Sequence, residues 1–123
     1  MAESPIKKKC YAPDPIRLCE YVWKLEIRDT DDHTITLPYM TRNLTIGIKN
    51  TLDQNITVKF DQSVTIKPGD EFNIQFDSDI NLGSGDVATV NHITWLDRPT
   101  LTIIAGAEPT DGYVYIVMVC DAY

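Results

Sequence analysis

Tyr21-Val-Trp-Lys-Leu-Glu-Ile-Arg28 sets Tyr21, Trp23, Leu25 and Ile27 on one side of an extended chain and Val22, Lys24, Glu26 and Arg28 on the other. A period of two is the signature of a strand with one buried face. Trp23 shares its side with Leu25 and Ile27, so it belongs to a core rather than to an exposed platform. The pattern recurs on both sides of this stretch. Ile35, Leu37 and Tyr39 repeat it across Pro38, which marks an edge or irregular strand. Leu44, Ile46 and Ile48 alternate with Thr45, Gly47 and Lys49; Ile56, Val58 and Phe60, then Val64 and Ile66, then Phe72, Ile74 and Phe76 follow. Later strands are expected over 87–96, 100–105 and 113–120.

The residues between these runs are turn formers. Asn50-Thr-Leu-Asp-Gln-Asn55 offers side chains that bond their own backbone, and Lys67-Pro-Gly-Asp70 suits a type II turn. Asp111-Gly112 suits a tight turn before the last strand. No window carries helical spacing behind a cap. These features predict an all-β fold: an antiparallel β-sandwich, immunoglobulin-like or jelly-roll, of about eight to nine strands.

The closing run Tyr113-Val-Tyr-Ile-Val-Met-Val-Cys120 differs in being apolar on both sides. An antiparallel strand with a wet face would alternate. Two readings follow: the second face lies under the chain's own arm or a loop, or it meets another subunit.

The chain has 123 residues and a net charge of −7. That length allows one domain with a core of its own. The acidic balance argues against binding nucleic acid through bulk charge. The charge is uneven, however. Residues 1–19 hold four basic side chains (Lys7, Lys8, Lys9, Arg17) against Glu3 and Asp14, leaving seven basic against sixteen acidic in 20–123. The division is therefore an extended basic arm, 1–19, and a sandwich domain, 20–123. Lys7–Lys9 is followed by Cys-Tyr-Ala-Pro-Asp-Pro rather than an apolar run, so no signal peptide is expected. Nor does any stretch approach the length of a membrane-spanning helix. Cys10, Cys19 and Cys120 are few and odd in number, which favours free thiols in a reducing compartment. Asn43-Leu-Thr45 and Asn55-Ile-Thr57 match the glycosylation triplet but fall in strand-like segments.

Chemistry-bearing motifs are sparse. Asp77-Ser-Asp-Ile-Asn-Leu-Gly-Ser-Gly-Asp86 begins like a calcium loop, with Asp77, Asp79, Asn81 and Asp86 as oxygen donors. Its glycine comes one position late, and the twelfth position is Ala88 rather than a glutamate. A solvated hairpin loop is the plainer reading. His33 follows the acidic Asp29-Thr-Asp-Asp32, and His92 sits among apolar strand residues; neither has the neighbours of a copper site. There is no nucleophile elbow, phosphate loop or dinucleotide fingerprint, so no enzymatic activity and no cofactor are expected. Trp95 at a strand end leaves a carbohydrate- or calcium-binding adhesion module as the alternative.

The arm Pro5-Ile-Lys-Lys-Lys9, the run Leu44-Thr-Ile-Gly-Ile-Lys-Asn50 leading to Ile56-Thr-Val-Lys-Phe60, and the apolar closing strand together resemble small accessory proteins of viral particles, such as phage head decoration proteins. The resemblance is architectural and loosely covers the whole chain. It implies a non-enzymatic structural role, in the virion or cytoplasm, in which copies bind one another and a larger assembly such as a major capsid protein. The expected contact residues are Ile6, Lys7, Lys8, Lys9 and Tyr11 of the arm and Tyr113, Tyr115 and Val117 of the closing strand. An arm that adds its backbone to a neighbour's sheet edge needs little side-chain specificity.

Overall fold

A computed structural model of the protein describes residues 5–11, 17–37, 40–64, 79–92 and 96–122. Within them run nine strands and no helix: β1 (Lys7–Tyr11), β2 (Arg17–Leu25), β3 (His33–Thr36), β4 (Met40–Asn50), β5 (Ile56–Val64), β6 (Ile80–Leu82), β7 (Val87–His92), β8 (Leu96–Ala105) and β9 (Val114–Ala122). All pair antiparallel. One sheet has the order β2-β9-β4-β7 and the other β3-β8-β5-β6, with β1 added beside β2. The expected strand around Phe72–Phe76, the Lys67–Asp70 turn, Asp77 and Trp95 lie outside the described residues.

The alternation seen in the sequence becomes the core. Cys19, Tyr21, Trp23 and Leu25 of β2 are buried, as are Leu44, Ile46 and Ile48 of β4 and Val114, Ile116, Met118 and Cys120 of β9. Register aligns them into rows: Trp23 faces Ile116, Ile116 faces Ile48, and Ile48 faces Ala88. The second sheet answers with Ile35, Leu101 and Phe60 in one row. Both sheets contribute to a single apolar cluster, the sandwich-like arrangement that alternating strands require. Tyr21 stacks on Trp23 with ring centroids 5.7 Å apart.

Two strands break the period, and each break has a backbone cause. In β4 both Thr41 and Leu44 are buried although three residues apart. Asn43 takes a positive φ of 51°, and the register with β9 shifts between Arg42 and Thr45, so one extra residue is absorbed. In β8, Leu96 and Leu101 both face inward; Arg98 has φ 48°, and the register with β5 shifts between Asp61 and Ser63. These irregularities lie where β4 meets β8 through Met40–Asp97 and Thr41–Leu96, the pairing that joins the two sheets.

At one end, the connections 51–55, 83–86 and 106–113 are tied together. Asn50, fully buried, donates from its amide to the carbonyls of Gln54, Leu82 and Gly83 at 3.0–3.2 Å and accepts from the Leu52 N–H at 3.0 Å. The Thr51 hydroxyl donates to the Tyr113 carbonyl at 2.7 Å and accepts from the Tyr113 N–H at 3.0 Å.

Asp111-Gly112 lies just before β9, in the 106–113 connection that crosses from one sheet to the other. Three sequence expectations are corrected. The 77–86 segment contains β6, three residues long and too short to display a period, paired through Ile56–Leu82 and Val58–Ile80. The runs ending at Phe60 and containing Val64 are one strand, β5. Cys19 is disulfide-bonded rather than free, while Cys120 is a buried free thiol. The β1–β2 ladder sets Cys10 directly opposite Cys19, a proximity that spacing along the chain does not reveal.

Gly112 has φ 89°, and a Cβ there would lie 1.9 Å from the Thr51 carbonyl oxygen. Gly85 has nearly the same φ, 88°, but nothing within 4 Å of its Cβ position. Gly112→Ala should therefore cost about 3 kcal/mol or more, against about 1–2 kcal/mol for Gly85→Ala. Urea unfolding followed by tryptophan fluorescence ranks the two; equal losses would mean that the approach to Thr51 does not fix Gly112. Asn50→Asp should also cost about 3 kcal/mol or more in the same assay, since it buries a carboxylate against three carbonyl oxygens.

Candidate functional site

The outward side of the β2-β9-β4-β7 sheet carries the closing-strand residues expected to make contacts. Paired residues in an antiparallel ladder share a face, so register alone fixes its rows. Val22 faces Val117, Val117 faces Gly47, and Gly47 faces Thr89. The next row is Glu20, Val119, Thr45 and Asn91, where the Thr45 hydroxyl donates to the Asn91 side-chain oxygen at 2.9 Å. Val117 is 41% exposed although β9 runs between β2 and β4, and Val22 and Val119 beside it are half-buried. A Cβ on Gly47 would meet only the Val117 carbonyl oxygen, at 4.0 Å, so this glycine leaves open space along the valine strip.

The end of this face nearest the knitted loops is aromatic and cationic. Tyr113 and Tyr115 are half-buried with centroids 6.1 Å apart. Lys24 Nζ lies 4.2 Å from the Tyr113 centroid, and Arg28 Cζ lies 6.0 Å from the same ring. Arg28 Nη1 donates to the Ile27 and Gly112 carbonyls, which fixes it beside that tyrosine. These cations engage the Tyr113 π-face electrostatically. They also place positive charge beside the valine strip, whose rows carry Glu20, Thr45, Thr89 and Asn91 as well.

The arm residues reach the same sheet by backbone pairing. Lys7 pairs with Val22, Lys8 with Tyr21, Lys9 with Glu20 and Tyr11 with Leu18. The Ile6 N–H donates to the Val22 carbonyl at 2.8 Å, and Ile6 is 65% exposed. Thus β2 brings the arm and closing-strand residues into one sheet, a juxtaposition absent from the linear order. Sequence reasoning also missed Val22 and Gly47. The signal was present as an apolar residue on a polar face and a glycine within a strand.

The other expected residues fall elsewhere. Asp79 is exposed; Asn81 accepts from the Thr57 hydroxyl at 3.1 Å; and Asp86 accepts from the Gly83 N–H at 2.8 Å, closing its own turn. A shallow cleft of about 170 Å³ lies beside them, lined by Asn55, Thr57, Asn81 and Gly106 among others. Among the described residues, no three His, Cys, Asp or Glu side chains are grouped to hold a metal ion. His33 Nε2 lies 2.7 Å from Asp29 Oδ1, and that hydrogen bond holds the Asp29 carboxyl below its ordinary range. Burial pushes the Cys120 thiol up to about 12, with the Asp121 charge adding to the effect.

No protein-family model matches this chain, and no curated protein matches it in sequence.

Asp53 supplies a pH signature for the knitted end. It accepts from the Thr110 hydroxyl at 2.5 Å and the Thr110 N–H at 3.0 Å, and these bonds depress its pKa. A carboxylate with a depressed folded pKa stabilises the fold above its unfolded value, roughly pH 4, and loses that contribution as pH falls through the folded value. Asp53→Asn should lower Tm at neutral pH, with the gap to the parent narrowing in more acidic buffer. A gap independent of pH would show that the Asp53 charge is not what matters.

Proposed function

We propose that this protein is a non-enzymatic structural module that associates with copies of itself and with a larger shell, as a virion accessory protein that reinforces a capsid. The observation carrying the reading is Val117, 41% exposed within an interior strand and flanked by Val22, Val119 and the bare backbone of Gly47. Apolar surface in the middle of a sheet face gains roughly 25 cal/mol per Å² when covered. A face four strands wide offers area on the scale of a subunit contact, about 800 Å² per partner.

Strand order supports the same setting. Successive strands from β2 to β9 change sheet at every step except β5 to β6, giving β2-β9-β4-β7 over β3-β8-β5-β6. An immunoglobulin-like sandwich instead keeps adjacent strands such as A and B, or D and E, in one sheet. We therefore read the topology as a jelly roll, an architecture used by viral capsid and lectin domains. The reading assigns the shell contact to the sheet that also receives the basic β1.

Val117→Lys tests it. Light scattering should find the parent protein in species larger than its 13.9 kDa chain mass, and the variant shifted towards monomer. Far-UV circular dichroism should be unchanged and stability altered by about 0.5 kcal/mol or less, as for a surface site. A parent that stays monomeric at high micromolar concentration would sink the proposal.

A further inference from the structure

All three cysteines stand in one line across the sheet. Cys10 of β1 pairs with Cys19 of β2, and Cys19 pairs with Cys120 of β9. Cys19 is disulfide-bonded, and Cys120 is a free thiol buried beside it on the core side. In an antiparallel sheet the backbone bonds of one residue point to one neighbour only. Of the two pairs Cys19 makes, one is therefore hydrogen-bonded with Cα atoms about 5.5 Å apart and the other non-hydrogen-bonded at about 4.5 Å. Both separations fall within the range a disulfide accepts, about 4.4–6.8 Å. Backbone spacing thus places Cys19 within disulfide reach of both neighbours, with small adjustments at the strand end bringing the chosen pair's Cβ atoms together.

We propose that Cys10, Cys19 and Cys120 form a disulfide-exchange site in which the bridge passes between Cys10–Cys19 and Cys19–Cys120. Cys120 gives its proton to solvent base, and its thiolate attacks Cys19 Sγ along the breaking bond. A Cys19–Cys120 bond forms, and the Cys10 sulfur leaves with the electron pair and takes up a proton. One disulfide and one thiol are present before and after, so the step needs no oxidant or reductant. Its structural result is definite. The first bridge ties β1 covalently to the sheet, whereas the second lies wholly between β2 and β9 and leaves β1 held by hydrogen bonds alone.

Burial holds Cys120 protonated and shields it, so exchange requires β9 to open near its end. This agrees with the minutes-to-hours scale of uncatalysed rearrangement. A small thiol shortens the wait by attacking the bridge first, through the same mixed-disulfide chemistry. The inference concerns the chain's own sulfurs and stands whether or not the protein self-associates.

The test uses the full-length oxidised protein incubated for hours in a reduced/oxidised glutathione buffer, quenched in acid, alkylated and mapped by peptide mass spectrometry. The expected result is a linked Cys19–Cys120 peptide together with alkylated Cys10, at a few per cent or more of the protein. The same species should show at least tenfold faster deuterium uptake at the β1 amides. Cys120→Ser must abolish the linked peptide, which guards against misassignment. If Cys120 remains the sole alkylated cysteine throughout, in protein that keeps its native circular dichroism, the exchange site does not exist.

Discussion

The buried amide of Asn50 holds one end of the sandwich together. Its NH2 faces three carbonyls and its oxygen takes the Leu52 N–H, so four backbone groups from two connections are satisfied by one side chain. Buried backbone polar groups without partners cost about 1–3 kcal/mol each. Asn50 therefore ties the β4–β5 and β6–β7 connections to the core beneath them, where their inward backbone groups would otherwise lack partners. Once they are placed, Thr51 can clasp Tyr113, and Gly112 must lie against Thr51 where no Cβ fits. That contact sets where β9 begins, hence which of its residues face outward.

The position of β9 decides the character of the outer face. As an interior strand with β2 on one side and β4 on the other, it carries Val117 to the middle of a sheet rather than to a rim. The same ladder brings Cys120 beside Cys19. A valine strip and a buried cysteine thus arise on opposite faces of one strand, with the tyrosine and cation cluster at its start on the same face as the strip. The basic β1 joins this sheet through β2, so the charge asymmetry of the chain becomes a spatial one, placed along a sheet margin.

Most of the strands were legible because their apolar residues alternate over four or more positions, as in Tyr21–Ile27 and Leu44–Ile48. Where legibility failed, the cause was local. β6 has three residues and too little length to show a period. The odd spacing of Thr41 and Leu44 hides a register shift that only a positive φ at Asn43 accommodates. The closing strand's outward residues could be named from its unbroken apolarity, but their neighbours Val22 and Gly47 belong to other strands and were not foreseen.

Side-chain period and composition alone set the all-β class, the buried faces and the excess of base at one end. Which strands neighbour one another emerges only in the folded chain. With strands changing sheet at nearly every step, adjacency depends on long-range pairing that no local pattern encodes. That is why Cys10, Cys19 and Cys120, read along the chain as three scattered thiols, stand side by side in the folded protein.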